Sequence, residues 1–383
     1  MSLLKSGSVA VNSQDDVKAA IRDAKDASTD APNFQAAAKS TVVSYRNDLS
    51  MLPKKPYDSL GALTKHVVQV AEGKEKPDFG NLTKNTTDAF KTALDTTGRY
   101  INTLGKKQEA LAELGAKLAN HKHRLESAKR FLDTEKSNQE RRRNDADSQK
   151  SSAERRIQET SNEIDNLQHK IRNRFDDPMF KEAMKMTGLS IDPRMRQIYG
   201  TAHRAEALLK AWNSDLRSNE TKKGIYERDR NNAQNSYDDA VRRIREADDQ
   251  IKEANGYIKQ ISQESSRTDA ARGDVQATTS SLIRARGSLS QIHSALADMT
   301  AIAKETFRPR YHRTFARSIM RILLLTPDLP AFNRCLGGII QMLQTLPAKV
   351  LDGQADPDDY GTPEPPLRGL LQEVQTLSRR NVN

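Results

Sequence analysis

Five leucines recur at intervals of seven residues in the longest proline-free part of the chain, and this repeat constrains the fold more than any other feature. They are Leu104, Leu111, Leu118, Leu125 and Leu132. No proline occurs between Pro77 and Pro178, so a single helix can extend through most of the interval. An apolar repeat of about 3.5 residues keeps one side of a helix facing a partner, so the sequence predicts a coiled coil.

A second long helical pattern follows the first and supplies the partner helix. It begins with Leu209, Trp212 and Leu216 and later becomes strictly heptad. The heptad residues are Tyr237, Ala240, Ile244, Ala247, Ile251, Ala254, Ile258 and Ile261. The phase of the pattern then shifts near Ser265, which predicts a stutter where the supercoil unwinds locally.

Each long pattern contains a stretch with almost no large apolar residues. In the first pattern this stretch covers 133–156, where the heptad register meets Ala146 and Ala153. In the second pattern it covers 217–236. The two stretches lie at similar distances from the proline-containing segment 176–199, so they lie side by side if the helices fold back there. The sequence therefore predicts an antiparallel hairpin with its tip at 176–199 and a polar mid-section.

The polar mid-section has two interpretations that the sequence leaves open. It is either a solvated stretch held by salt bridges, or a place where the helices bend, open or meet neighbouring subunits. The triplet Arg141, Arg142 and Arg143 lies here and suggests nucleic acid. Consecutive helical residues point in three directions, however, and no aromatic residue lies among them to stack on bases. The pattern therefore argues against nucleic-acid binding.

The predicted fold class is all-α, with a helical bundle at the open end of a long antiparallel coiled-coil hairpin. The hairpin covers 81–306, and short N-terminal helices in 1–80 join the bundle. An apolar helical pair in 307–351 completes it. The last region, 352–383, is acidic and proline-rich, which predicts a flexible tail with a short terminal helix.

The apolar pair has a second interpretation. Its two helical pieces, about 313–325 and 331–346, are each too short to span a bilayer. They either bury their apolar faces in the bundle or form an amphipathic pair that binds membrane or a partner.

Composition limits the partners and the compartment. The net charge is +11, which favours an acidic partner such as an anionic membrane, although long exposed helices are also simply charged. Cys335 is the only cysteine, so the sequence predicts neither an intrachain disulfide framework nor a zinc cluster. The first residues lack the apolar run of a signal peptide. We therefore expect synthesis as a soluble cytoplasmic protein, followed by release and membrane association.

No catalytic or cofactor-binding pattern stands out. His121 and His123 are two residues apart, so they diverge on a helix and cannot share a metal ion as an i, i+4 pair would. The chain has no dinucleotide-binding glycine motif, P-loop or nucleophile elbow. The sequence predicts a protein that is not an enzyme and that has no cofactor and no metal site.

The predicted tip is the strongest candidate for a contact site. Four of the nine methionines of the chain lie within it, and methionine suits surfaces that meet soft or variable partners. Lys181, Lys185, Arg194 and Arg196 alternate with the apolar residues, as on helices that lie in a lipid interface. The alternative is a small local core that closes the hairpin. The candidate contact residues are Met179, Phe180, Met184, Met186, Leu189, Ile191 and Met195.

These features together resemble the α-helical pore-forming toxins of the cytolysin A type, especially the two-component xenorhabdolysin-like toxins. The resemblance is architectural and covers roughly residues 15–350. It implies a soluble subunit that meets membrane lipid, with anionic lipid as one candidate, through segment 178–199, and then self-oligomerises. The tip is too short and too charged for a fully apolar spanning hairpin. The resemblance therefore implies the subunit with an amphipathic foot, which needs a companion protein subunit.

Two other functions stay open. One is a structural coiled-coil scaffold that docks proteins at its tip and bundle. The other is a BAR-like peripheral protein that binds anionic lipid through a basic helical face, and such binding would weaken in salt.

Overall fold

The computed structural model describes residues 11–76, 78–174, 176, 178, 194–304, 311–352 and 366–380. Within these residues every regular element is a helix, which confirms the predicted all-α class. In chain order the helices are α1 (Gln14–Met51), α2 (Lys54–Ala71), α3 (Gly80–Arg172), α4 (Arg194–Lys304), α5 (Tyr311–Leu324), α6 (Pro330–Gln344), α7 (Ala348–Leu351) and α8 (Leu367–Arg380). None of them, over the described residues, has a stretch long and apolar enough to cross a membrane.

The two long helices follow from the two heptad patterns. α3 extends over 93 residues and α4 over 111 residues. At the start of α3 the Asp78 side chain accepts a hydrogen bond of 3.3 Å from the backbone N–H of Gly80. Its last turn carries His169, Lys170 and Arg172, and basic side chains there interact favourably with the negative end of the helix dipole.

The chain divides into two compact units, and both long helices contribute to each. The hairpin unit comprises Met1–Arg22 and His123–Ile258. The bundle unit comprises Asp23–Lys122 and Lys259–Asn383.

In the hairpin unit α3 and α4 run antiparallel. Lys136 Nζ on α3 lies 2.8 Å from Asp248 Oδ1 on α4. Further along α3, the guanidinium carbon of Arg156 lies 5.6 Å from the ring centroid of Tyr226 on α4. The residue numbers rise along α3 while those of their partners fall along α4, so the predicted hairpin direction is confirmed.

In the bundle unit α1 joins the long pair as a third helix. Ala38 and Val42 of α1 form one buried cluster with Leu104 and Leu111 of α3 and with residues of α4. The rings of Tyr45 and Tyr100 stack beside this cluster, with centroids 4.1 Å apart. The second half of α1 therefore contributes to the same apolar seam as the two long helices.

The length of α1 differs from the short N-terminal helices that the sequence predicts, because α1 extends over 38 residues. The missed signal is a seven-residue repeat of small side chains. Val17, Ala24, Ala31 and Ala38 are all almost fully buried. Pro32 lies inside α1 with its side chain exposed, so its ring does not interrupt the buried face.

The core of the bundle unit consists of α2, α5, α6, α8 and the adjoining ends of α3 and α4. The rings of Phe79 and Phe315 stack at its centre, with centroids 4.3 Å apart. The Tyr57 hydroxyl lies 2.7 Å from Thr326 Oγ1, and burial raises the pKa of Tyr57.

The apolar helical pair that the sequence places near 313–325 and 331–346 corresponds to α5 and α6. Their core-facing side chains are almost fully inaccessible to solvent. These are Phe315, Ala316, Ile319, Met320, Ile322 and Leu323 of α5, and Phe332, Leu336, Ile339, Ile340 and Leu343 of α6. Of the two sequence-based interpretations, the structure supports the first, because the pair buries its apolar faces in the core of the bundle unit.

Candidate functional site: the polar mid-section and distal end of the hairpin unit

A small apolar cluster joins α3 and α4 near the end of α3. Trp212 is only 9% exposed and packs against Leu209 of α4 and against Leu167 and Ile171 of α3. The described part of α3 ends soon after this cluster, and α4 begins at Arg194. The chain between Arg172 and Arg194 connects these two helices in the sequence.

Most of the predicted contact residues lie between Arg172 and Arg194. Six of them fall outside the described residues: Met179, Phe180, Met184, Met186, Leu189 and Ile191. The seventh, Met195, lies in the first turn of α4, but its side chain is outside the described part. The role of these residues as contacts stays a prediction.

The mid-section of the hairpin unit packs through small and polar side chains. On α3, Gln139, Ala146 and Ala153 are at most 6% exposed. These are the positions that the leucine register reaches when it continues by sevens. On α4, the buried residues at the same spacing are Ala233, Ala240, Ala247 and Ala254. Alanine at these positions provides little apolar area, so each contact is weak even though the seam is continuous.

The three arginines of the mid-section do not form a shared site. Arg141 and Arg142 are exposed, whereas Arg143 is half-buried. The guanidinium of Arg143 donates hydrogen bonds to the side-chain oxygen of the neighbouring Asn144, the shorter of them at 3.1 Å. The three side chains thus have different surroundings, as their consecutive positions on a helix require.

A polar groove of about 410 Å³ lies between α3 and α4. Ala153 and Ala233 form part of its lining, where two small side chains leave space that larger ones would fill. Arg156 and Tyr226 also line it, with the guanidinium over the aromatic ring. The other lining residues are Gln149, Ser152, Asp229, Asn232 and Ser236.

Cross-helix and within-helix ion pairs lie on the exposed faces of this section. The hydrogen bond from Lys136 to Asp248 raises the pKa of Lys136. On α4, Arg242 and Arg243 both pair with Asp239, and the hydrogen bond from Arg242 lowers the pKa of Asp239. Pairs this exposed contribute little to stability. Within the described residues, no group of three or more potential metal ligands occurs.

Replacing Ala146 with leucine is expected to lower the free energy of unfolding by about 1–3 kcal/mol, because the larger side chain forces apart two helices that approach closely through alanine. Chemical denaturation followed by circular dichroism measures the loss. Ser151→Leu, at an exposed position of the same helix, is the matched control and should change stability by no more than about 0.5 kcal/mol. A gain in stability for Ala146→Leu would show that the mid-section is loosely packed.

Neither a protein-family model nor a curated protein matches the chain. Two solved structures are similar to it over most of its length. One is the SmhB pore of the tripartite α-pore-forming toxin Smh from Serratia marcescens, at 8% identity and a TM-score of 0.33, covering 86% of this chain and 98% of that chain. The other is the pre-pore AhlB of the tripartite α-pore-forming toxin AHL from Aeromonas hydrophila, at 8% identity and a TM-score of 0.33, covering 94% of this chain and 98% of that chain.

Proposed function

We propose that the chain is a subunit of an α-helical pore-forming complex that engages membrane through segment 176–199 and acts without enzymatic chemistry. The observation that supports this most directly is the antiparallel pairing of α3 and α4 up to the cluster around Trp212. In this proposal the methionine-rich segment, which connects the two paired helices in the sequence, forms the end of the hairpin.

The chemistry of the segment suits a lipid interface. Methionine side chains are adaptable and apolar, and basic side chains among them would meet anionic headgroups. Lys181 and Lys185 alternate with Met184 and Met186 in the sequence. An amphipathic segment of this kind lies in the headgroup region. In this proposal, spanning of the bilayer requires self-oligomerisation together with a companion subunit.

The test compares the wild-type chain with Met184→Asp on vesicles of anionic and of neutral lipid, by co-sedimentation and by release of trapped dye. If Met184 is buried in lipid, removing its apolar side chain lowers the binding free energy by about 1.5–3 kcal/mol. Vesicle binding should therefore weaken by roughly 10- to 100-fold. Dye release should fall in parallel. Ile225→Asp is the matched control, because Ile225 is an exposed apolar residue of the hairpin unit and should tolerate the charge.

Other results would favour the other functions. Binding that persists in Met184→Asp but disappears in high salt would point to a basic lipid-binding face, as in BAR-like proteins. No binding to either lipid, with or without a companion subunit, would contradict the proposal and favour a protein scaffold.

A further inference from the structure

Two grooves between α3 and α4 lie on one face of the hairpin unit. The first has Ala153 and Ala233 in its lining and a volume of about 410 Å³. The second has Leu167 and Asn219 in its lining and a volume of about 270 Å³. Ala153 and Leu167 are fourteen residues apart on α3, and Asn219 and Ala233 are fourteen residues apart on α4. Fourteen residues are two heptads, so both grooves lie on the same face of the paired helices.

Charged side chains line these grooves at seven-residue spacing, and their signs alternate along each helix. They are Arg156, Glu163 and Lys170 on α3 (the α3 row), and Asp215, Lys222 and Asp229 on α4 (the α4 row). All six are exposed. Over the described residues none of the six forms an ion pair within 4.0 Å, although Arg156 lies over the ring of Tyr226. Two regular rows of charge therefore face solvent without an ionic partner.

The alternation of sign limits the kind of partner that fits this face. The two rows together contain three positive and three negative charges. A uniformly charged surface, such as a nucleic acid or an anionic membrane, therefore gains as much repulsion as attraction. A matching partner repeats opposite charges about every 10.5 Å, the rise of seven helical residues. The chain itself meets this condition, because Glu163 of the α3 row and Lys222 of the α4 row line the same groove with opposite charges.

We propose that a second copy of the chain binds this face, with its α4 row on the α3 row of the first copy and its α3 row on the α4 row. In this arrangement Glu163 meets Lys222 of the second copy, and Arg156 meets Asp229 of the second copy. The remaining charges of the rows pair in the same way. A two-fold axis along the hairpin repeats every pair, as in other isologous contacts. Within one chain the two rows are separated by the open grooves, so their charges are available to the second copy.

This surface would serve the self-oligomerisation of the proposed function, but it is inferred from the charges of the hairpin unit alone. Its test contains no lipid, so failure of this contact and failure of membrane binding are separate results. Because the paired charges are exposed, the dimer should weaken as the salt concentration rises.

The test exchanges charges within each row and leaves the net charge unchanged. The α3 swap is Glu163→Lys with Lys170→Glu, and the α4 swap is Asp215→Lys with Lys222→Glu. In a dimer of either swap alone, four opposite pairs become like pairs. When the two swaps are mixed, every contact between an α3-swap copy and an α4-swap copy again pairs opposite charges. A combined variant with both swaps in one chain also restores every pair.

Sedimentation velocity at low salt should show a concentration-dependent dimer for the wild type, the mixture and the combined variant. Each swap alone should raise the dimer dissociation constant by at least about tenfold, because each exposed pair contributes little but four of them change sign together. Circular dichroism should stay unchanged, because the substituted side chains are exposed. A monomeric wild type would overturn the inference, and so would dimers of the separate swaps that are as stable as the wild-type dimer.

The mixture also separates contact between copies from attraction within one chain. If the rows act only across their own grooves, the mixture would stay monomeric like each swap, while the combined variant would regain the thermal stability that each swap loses. That result would overturn the inference. The matched control is Glu154→Arg with Arg155→Glu, a swap at exposed residues of α3 that line neither groove. It should dimerise as the wild type does, and loss of its dimer would contradict the assignment of the contact to this face.

Discussion

Phe315→Ala is expected to lower the free energy of unfolding by about 3–5 kcal/mol, the usual cost of truncating a buried phenylalanine. Phe315 is 1% exposed, and its ring stacks on Phe79 with an interplanar angle of 17°. Alanine would leave a cavity between α5 and the segment before α3 and would also remove the ring contact. Urea denaturation followed by circular dichroism should show an earlier transition for the bundle unit.

Phe34→Ala is the matched control for this experiment. Phe34 belongs to the same unit but is 53% exposed, so its truncation should cost no more than about 0.5 kcal/mol. If the two variants lose equal and small amounts of stability, α5 is not anchored by the aromatic stack. If Phe315→Ala also raises vesicle binding, loosening of α5 has made apolar surface available to lipid.

Gln35→Leu is expected to lower the free energy of unfolding, because it leaves one oxygen of a buried carboxylate without its hydrogen-bond donor. The side-chain nitrogen of Gln35 lies 3.0 Å from Glu264 Oε2 and 3.1 Å from Thr268 Oγ1. Glu264 is 7% exposed as a residue, and its other carboxylate oxygen lies 2.6 Å from Arg267 Nη1. Removal of the donor should cost about 1–3 kcal/mol.

The double variant Gln35→Leu with Glu264→Leu tests the cause of that loss. Replacing both partners of a buried polar contact with apolar side chains can be nearly neutral, so the double variant should recover most of the stability. Thermal unfolding of the wild type, the two single variants and the double variant provides the interaction energy of the pair. If the double variant is as unstable as the sum of the single variants, the hydrogen bond does not couple the two residues.

The heptad phase of α4 shifts near Ser265, beside Glu264, and a polar layer inside a coiled coil can specify helix register. The phase shift could be recognised in the sequence because it is a change in the spacing of apolar residues along one chain, and the stutter that it indicates stays a prediction. The partner in the polar layer could not be recognised, because Gln35 lies more than two hundred residues away in the chain.

Much of the hairpin could be predicted because its signal is local and periodic. The five heptad leucines of α3 are all buried, and a repeat of this spacing places them on one face whatever the partner is. Small side chains weakened the same signal elsewhere. The register on α1 consists largely of alanines, such as Ala24 and Ala31, which do not stand out from the alanines of an exposed helix.

The sequence by itself determined that α3 and α4 are long helices and that the heptad leucines of α3 face a seam, because both depend on the spacing of side chains along one chain. Only the tertiary structure decided where the apolar pair α5–α6 goes, since an amphipathic helix can bury the same face against protein or lipid. Here α2 and α8 cover the pair, and their contribution follows from contacts between residues far apart in sequence. The same limit applies to α1: Ala38 and Val42 pack with Leu104 and Leu111 of α3, a contact that the spacing of residues along α1 does not show.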